Sequence, residues 1–229
     1  MSAYRTAGFG PALTDGVKYL LIWNVIFYLL QHFILAKGVP GVGLSMERFL
    51  GLVPVLVLKK LFIWQVVTYL FLHGGFFHIL FNMFALWMFG SDLERIWGTR
   101  RFLTYYFFTG VGAGILTLLF TPGSIVPTIG ASGAVYGLLL GFAYYFPERR
   151  IYLYMLFPVS ARVFVIIFGA IAFLSSISQQ GSGIAHIAHL GGLVFGWIYI
   201  KWAGKYLDRL EARRRRNRLR VVDFRGDDR

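Results

Sequence analysis

Cysteine is absent from this chain of 229 residues, and charged side chains are scarce. Without a thiol there can be no disulfide framework, no cysteine nucleophile and no thiolate metal site. Only 14% of the residues are charged while 57% are hydrophobic, which is too apolar for an ordinary soluble domain. The 18% of aromatic residues and the 27 glycines are typical instead of a helical protein that crosses a membrane several times.

Acidic residues are also few, at 10 against 23 lysines and arginines, so the formal net charge is +13. Such a balance could indicate a nucleic-acid partner. However, 11 of the 23 basic residues lie from Lys201 onward, directly after an apolar run. This position favours contact with a lipid bilayer, and we do not expect a nucleic-acid partner. Met1–Gly16 is polar and rich in glycine, so we expect no cleavable signal peptide there.

Six apolar runs predict six membrane helices in one domain. They are Val17–Ala36, Phe71–Phe89, Phe102–Phe120, Ser132–Phe146, Val163–Ile177 and Ile184–Trp202. Lys37–Trp64 is interrupted by Pro54 and the pair Lys59-Lys60, and we interpret it as a long first loop whose short helices lie in the membrane interface. The predicted fold is therefore an all-α membrane protein. A short amino-terminal segment (1–16) precedes the membrane domain (17–205), and a basic tail (206–229) follows it.

The basic residues also predict an orientation. Loops after the even-numbered helices, the tail and the amino end together hold 19 of the 23 lysines and arginines. By the positive-inside rule both termini are then cytoplasmic in a multi-pass protein, for which we expect the plasma membrane of a bacterium or archaeon.

Polar residues from three predicted helices lie at one depth under this orientation. Ser132 begins the fourth helix, His78 and Asn82 lie near the start of the second, and His186 and His189 lie near the start of the sixth. Each is within about two turns of an outer helix end. Ionisable and polar groups inside membrane helices are costly, so such a set predicts a functional site on the outer side.

Small residues in two of these helices offer a way to bring the polar groups together. Glycines repeat every fourth residue at Gly133, Gly137, Gly141, Gly192 and Gly196. Two such stripes can approach closely, and we predict that they pack on each other and bring Ser132 to an imidazole. A serine that meets a histidine is a minimal activated nucleophile.

These residues carry a family resemblance. The motif G-A-S-G with Tyr136 four residues after the serine, H-x-x-x-N in the second helix, and A-H-I-A-H-L-G-G-x-x-x-G in the sixth resemble the rhomboid intramembrane serine proteases. The L-E-R-I-W-G run at Leu93–Gly98 is also similar to the family pattern. The resemblance covers roughly Phe62 to Trp202, with three motifs in the same order as in the family.

The resemblance implies a role for each matching residue. Ser132 would be the nucleophile and His189 the general base of an endopeptidase that cleaves in or near transmembrane segments of substrate proteins. The supporting positions it implies are His78, Asn82 and the Ser132 backbone N–H for the oxyanion, Tyr136 against the imidazole, and Gly130 in the turn before the serine. The outer helix ends contain no Asp or Glu, so we expect a Ser-His dyad that uses no metal or cofactor.

Other interpretations remain open for single residues and for the whole chain. Taken alone, Ser132 would be a helix cap or packing residue and Asn82 an interhelical hydrogen-bonding group. We expect a structural or gating role for His186, and a lid from Ser178–Gly183. Trp64 is followed by Gln65 where relatives often have arginine. A transporter or proton channel would need polar sites that continue to the inner side, and an inactive rhomboid-like binding protein would typically have lost the serine or the histidine.

Overall fold

The computed structural model describes residues 11–34, 40–41, 43–153, 156–177 and 183–203. Most of these residues are helical. The helices and strands, in chain order, are α1 (Asp15–Ile34), α2 (Met46–Leu50), α3 (Pro54–Lys60), α4 (Gln65–Thr68), α5 (Phe76–Trp97), α6 (Thr99–Phe120), α7 (Ser132–Tyr145), β1 (Arg150–Leu153), β2 (Phe157–Ser160), α8 (Ala161–Ile177) and α9 (Gly183–Ile198). Wider turns of π-type end α1, interrupt α5 at Leu86–Gly90, and follow α9 at Tyr199–Ala203.

Three of these helices, α1, α5 and α6, are long and apolar enough to cross a membrane, and α8 contains a shorter apolar stretch. A helix occurs at each of the six predicted positions. The predicted basic tail (206–229) lies outside the described residues, as do residues 1–10 and all of the predicted lid except Gly183.

The second predicted helix is displaced towards the carboxyl end. The prediction placed it at Phe71–Phe89, but α5 starts at Phe76 and continues to Trp97. It ends where Gly98 adopts a φ of +77°, a left-handed conformation that favours glycine. Asp92 and Glu94 are charged residues of the kind found in loops. Both are nevertheless buried within this helix, where other groups form hydrogen bonds with them.

Glu94 joins three helices at this end of the molecule. Its carboxylate accepts hydrogen bonds from the backbone N–H groups of Gly16 (2.8 Å) and Val17 (2.9 Å), and from the hydroxyls of Thr14 (2.5 Å) and Thr99 (2.6 Å). The first backbone N–H groups of a helix have no partner within the helix, and the helix dipole favours a negative charge there. Glu94 therefore caps α1 from a different helix.

A two-stranded antiparallel hairpin connects α7 to α8, where the all-α prediction recognised only an apolar patch. Arg150 pairs with Ser160 and Leu153 with Phe157. The segment was not predicted as strands because its apolar residues are nearly continuous and no Gly, Asn or Asp marks the turn.

The segment between α1 and α5 contains the short helices α2, α3 and α4. The buried side chain of Gln65 ties this loop together. Its Oε1 accepts from the Val53 N–H (2.9 Å), and its Nε2 donates to the carbonyl oxygens of Arg48 (2.7 Å) and Phe49 (3.3 Å). Trp64 Nε1 also donates to Phe49 O (2.8 Å). Gln65, which stands where the resemblance suggests arginine, thus makes its own hydrogen bonds within the loop.

The core surrounds α6 and α7 and contains fully buried tyrosines whose hydroxyls are satisfied by backbone carbonyls. Tyr69 donates to Gly110 O (2.7 Å) and Tyr105 to Gly137 O (2.6 Å). Because a buried hydroxyl without a partner is costly, these bonds fix the turn after α4 against α6, and α6 against α7. They hold the beginning of α7, where Ser132 lies, on a rigid base.

Candidate active site

Ser132 and His189 meet at the start of α7 and in the second turn of α9. His189 Nε2 lies 2.9 Å from Ser132 Oγ. The imidazole stacks on the ring of Tyr136, with 4.3 Å between the centroids and 6° between the planes. Ser132, Tyr136 and His189 are all half-buried, so a substrate and water can reach the pair. Residues 57 positions apart in the sequence are thus in hydrogen-bonding contact.

The other imidazole nitrogen, His189 Nδ1, is buried and has no hydrogen-bond partner among the residues that the structure describes. If Nε2 accepts the serine proton, Nδ1 carries the other proton. No carboxylate of the described chain holds that proton, so the ring is held by packing on Tyr136. The described residues thus bring one serine and one histidine into contact, without a carboxylate on the imidazole.

Gly130 lies in a tight turn between the His78 ring and the backbone of Ser132. Its φ is +120°, which a residue with a side chain rarely adopts, and its N–H donates to Tyr69 O (2.9 Å). A Cβ atom at this position would lie 2.8 Å from His78 Nε2 and 3.9 Å from the Ser132 backbone nitrogen. A side chain at this position would collide with the His78 imidazole, so glycine allows His78 to pack against the turn that precedes Ser132.

The tautomer of His78 follows from its neighbours. The backbone N–H of Gly74 donates to His78 Nδ1 (3.2 Å), so this nitrogen is an acceptor and Nε2 carries the proton in the neutral ring. The proton on Nε2 is therefore available for donation close to Gly130. Asn82 Nδ2 donates to His78 O (2.8 Å), which occupies one of its two amide hydrogens and leaves the other available.

Two hydrogen bonds and a ring contact connect the first loop to this histidine. Gln31 Nε2 donates to Glu47 Oε1 (2.9 Å), and Gln31 Oε1 accepts from the backbone N–H of His73 (3.1 Å). The ring of His73 packs edge-on against His78, with 5.1 Å between centroids. Burial alone would raise the pKa of Glu47, but hydrogen bonds from Gln31, its own backbone and Ser45 outweigh burial and leave this pKa below its usual value. The ionised carboxylate only accepts, which fixes the orientation of the Gln31 amide.

The glycines of α7 contact two helices, α9 as predicted and also α6. A Cβ on Gly192 would collide with the carbonyl oxygen of Gly133, so α9 does press on the backbone of α7. However, a Cβ on Gly133 would lie 2.7 Å from Ala113 Cβ, and one on Gly137 would lie 2.6 Å from Thr109 Cβ, both in α6. The Cβ positions of Gly133 and Gly137 therefore point towards α6. Periodicity identifies a face of small residues, but it does not identify the helix that covers that face.

The remaining glycines of the two stripes follow the same pattern. Positions Gly141 and Gly196 both lie against the Tyr105 hydroxyl, at 3.2 and 2.8 Å from their added Cβ atoms. Gly196 also lies close to the Cα atom of Gly137 (3.4 Å). Close approach of α6, α7 and α9 thus depends on small residues in all three helices.

Other histidines surround the pair without touching the serine. The His186 ring lies edge-on to His189, with 5.9 Å between centroids. His73 is fully buried, and His32 contacts the carbonyl of Tyr28 (3.1 Å). Within the described ranges there is no group of three or more possible metal-ligating residues. Glu47 and Gly74 were missed by the sequence analysis, because a loop-to-helix contact leaves no periodic pattern.

Comparison with known proteins agrees with the motifs. The family model described as the Rhomboid domain matches residues 60–205. "Rhomboid protein 1, mitochondrial" of Saccharomyces cerevisiae is 32% identical over 163 residues, which is 66% of this chain and 44% of that protein. "Rhomboid protease GluP" of Bacillus subtilis is 33% identical over 136 residues, which is 59% of this chain and 25% of the relative. "Putative rhomboid protease YdcA" of the same species is 33% identical over 139 residues, covering 59% of this chain and 64% of YdcA.

The chain thus spans less than two thirds of the length of each of these relatives. The family match nevertheless covers more than half of the chain, and three helices are apolar and long enough to cross a membrane. These findings confirm the resemblance drawn from the motifs and indicate an integral membrane protein. The chain belongs to the rhomboid family.

Proposed function

We propose that this protein is an intramembrane serine endopeptidase that hydrolyses peptide bonds in or near transmembrane segments of substrate proteins, with Ser132 and His189 as its dyad. The observation that carries the proposal is the 2.9 Å distance between Ser132 Oγ and His189 Nε2. Relatives that are named rhomboid proteases support the same activity.

The dyad would work by proton transfer and acylation. His189 Nε2 takes the hydroxyl proton while Oγ bonds to the substrate carbonyl carbon. The tetrahedral intermediate then collapses, the C–N bond breaks, and the imidazolium returns the proton to the leaving amine. A water molecule, deprotonated by the same imidazole, hydrolyses the acyl-enzyme and regenerates the serine. Tyr136 keeps the ring in place through both proton transfers.

The oxyanion would lie near Ser132, on the side of Gly130 and His78. The Ser132 backbone N–H and His78 Nε2–H would donate to it, and Asn82 has a second amide hydrogen to contribute. Donors fixed before the reaction stabilise the developing charge without reorganisation, and losing one typically costs about 2.7–4 kcal/mol.

The proposed membrane arrangement has six spans, residues 17–205 as the membrane domain, and the first loop in the interface. Six arginines lie at one end of the bundle, which we call the arginine-rich end: Arg95, Arg100, Arg101, Arg149, Arg150 and Arg162. The bonds from Glu94 to the start of α1 and from Asp92 to Arg149 join the elements of this end. Ser132 lies at the opposite end of α7, so by the positive-inside rule the site opens to the outer side and both termini are cytoplasmic.

A fluorophosphonate probe tests the proposal directly. We expect it to label the purified protein at Ser132, because the imidazole at 2.9 Å activates that hydroxyl. Peptide mapping by mass spectrometry identifies the modified residue. Ser91, which is fully buried and has no hydrogen-bond partner in the described part of the chain, is the internal control and should stay unlabelled. Labelling at a serine other than Ser132 would refute the nucleophile assignment.

Gln31 is a positioning residue in this scheme. We expect Gln31→Leu to lower kcat about tenfold with little change in KM. A hydrogen bond contributes about 0.5–1.5 kcal/mol. Losing the bonds of Gln31 would change the position of His78 through His73 and Gly74. Cleavage kinetics with a transmembrane substrate measure kcat and KM separately. His32→Ala, one residue further along α1, is the matched control and should behave like wild type. An unchanged kcat in Gln31→Leu would exclude the positioning role.

A further inference from the structure

The β1–β2 hairpin is held rigidly against the helix ends. Arg149, the residue before β1, donates to Asp92 Oδ2 of α5 (3.1 Å). Its guanidinium also lies over the ring of Phe146, 5.7 Å from the centroid. At the other end of the hairpin, the N–H of Ala161 donates to Arg149 O (2.9 Å). The hairpin therefore projects from a fixed base at the arginine-rich end.

The hairpin turns apolar side chains both inward and outward. Ile151 and Val159, which are paired across the strands, pack against the core. By contrast, Tyr152, Leu156 and Phe157 are 61%, 72% and 64% exposed. A hairpin in water would carry polar residues on its free surface. Large apolar side chains exposed this far require a covering partner.

Aromatic and basic residues mark the level of a membrane interface beside the hairpin. The ammonium of Lys201 lies 4.5 Å from the Trp197 ring centroid and 5.5 Å from that of Tyr144. Trp, Tyr and Lys concentrate where the hydrocarbon core meets the headgroups. Tyr144 is near the end of α7, six residues before Arg150 and the first strand. The hairpin thus begins at headgroup level, next to lipid.

The charges around the hairpin favour an anionic surface. Asp92 bonds to Arg95 and Arg149, and Glu148 pairs with Arg162 at 3.2 Å. Exposed Arg150, at the start of β1, forms no ion pair with any residue that the structure describes. A basic side chain beside exposed aromatic and aliphatic groups is the pattern of segments that bind anionic bilayers.

We propose that the β1–β2 hairpin is a membrane-contact element: its exposed apolar residues enter the acyl boundary of the leaflet at the arginine-rich end, and Arg150 binds anionic phospholipid headgroups there. The basic tail of the same chain is a poor alternative occupant, because its charge has the same sign as that of the hairpin base. The inference does not depend on the proteolytic activity.

The absence of cysteine makes the test direct, since one introduced cysteine is the only labelling site. A nitroxide label is attached to Phe157→Cys in one variant and to Tyr152→Cys in another. Each labelled protein is reconstituted into vesicles of phosphatidylcholine, with or without phosphatidylglycerol. Power saturation compares access of oxygen, which enters the bilayer, with access of a water-soluble nickel chelate. Glu148→Cys, whose side chain is 79% exposed, is the control in the aqueous zone.

We expect the ratio of oxygen to nickel access at positions 157 and 152 to be severalfold higher than at 148. It should rise further with phosphatidylglycerol, and Arg150→Gln should remove that increase. Circular dichroism and thermal unfolding confirm that each variant is folded. If both hairpin labels are as open to nickel as position 148, the membrane contact is refuted. A dipolar distance between labels on two copies would instead assign the surface to self-association. An increase that survives Arg150→Gln would refute the role of Arg150.

Discussion

Ser132→Ala should abolish cleavage of a transmembrane substrate, lowering kcat by about four orders of magnitude or more. The reason is chemical, because no other described hydroxyl lies within hydrogen-bonding distance of His189. His189→Ala should produce the same loss. The double variant should be no worse than either single one, since two groups that act as a unit are not additive. The assay is the initial rate of cleavage in detergent or vesicles.

The control for this experiment is Ser91→Ala, which removes a buried serine hydroxyl in another helix. It should cleave like wild type. All variants should keep the helical circular dichroism and thermal unfolding of the parent protein. If Ser132→Ala retained a tenth or more of the wild-type rate, the dyad would be excluded as the source of activity.

Gly192→Ala should reduce cleavage by about a hundredfold and also lower the unfolding temperature. The new Cβ would collide with the carbonyl oxygen of Gly133, a backbone atom that cannot rotate away. Helix α9 must then move outward, which withdraws His189 from Ser132, and a displacement of about 1 Å at a reacting centre can cost about 10²-fold. Overpacking itself costs typically about 1–3 kcal/mol of stability.

Gly169→Ala is the matched control, because it adds the same methyl group to the neighbouring helix α8. There the nearest atom is Leu193 Cδ1 at 3.3 Å, the end of a side chain that can adjust. We expect near wild-type cleavage and unfolding for this variant. Equal behaviour of the two alanine variants would show that close approach of α9 to α7 does not control the activity.

The sequence was most informative where a residue type restricts the chemistry. Ser132 and His189 could be paired from their positions in the chain, because each is costly inside a membrane helix and both lie at one predicted depth. The helix positions could be predicted as well, since a membrane requires long apolar runs. The predicted end of α5 was wrong. Asp92 and Glu94 resemble loop residues unless their buried hydrogen-bond partners are known.

Contacts between distant segments could not be predicted in this way. The pairing of Gln31 with Glu47 and with the backbone of His73 depends on how a loop folds over α1. The β1–β2 hairpin was missed because Ile151 to Val159 lacks both strand alternation and a turn residue. The glycine stripe of α7 was recognised as a packing face, but only the three-dimensional structure identifies Thr109 and Ala113 as its main neighbours.

The cap that Glu94 supplies to α1 also has a consequence for synthesis on the ribosome. The capping carboxylate follows Gly16 by 78 residues. At about 5–20 residues per second, roughly 4–16 s pass between the synthesis of the two groups. During that interval the first turn of α1 has its backbone N–H groups open to other acceptors. The bonds that cap the first turn of α1 can therefore form only after the end of α5 has been synthesised.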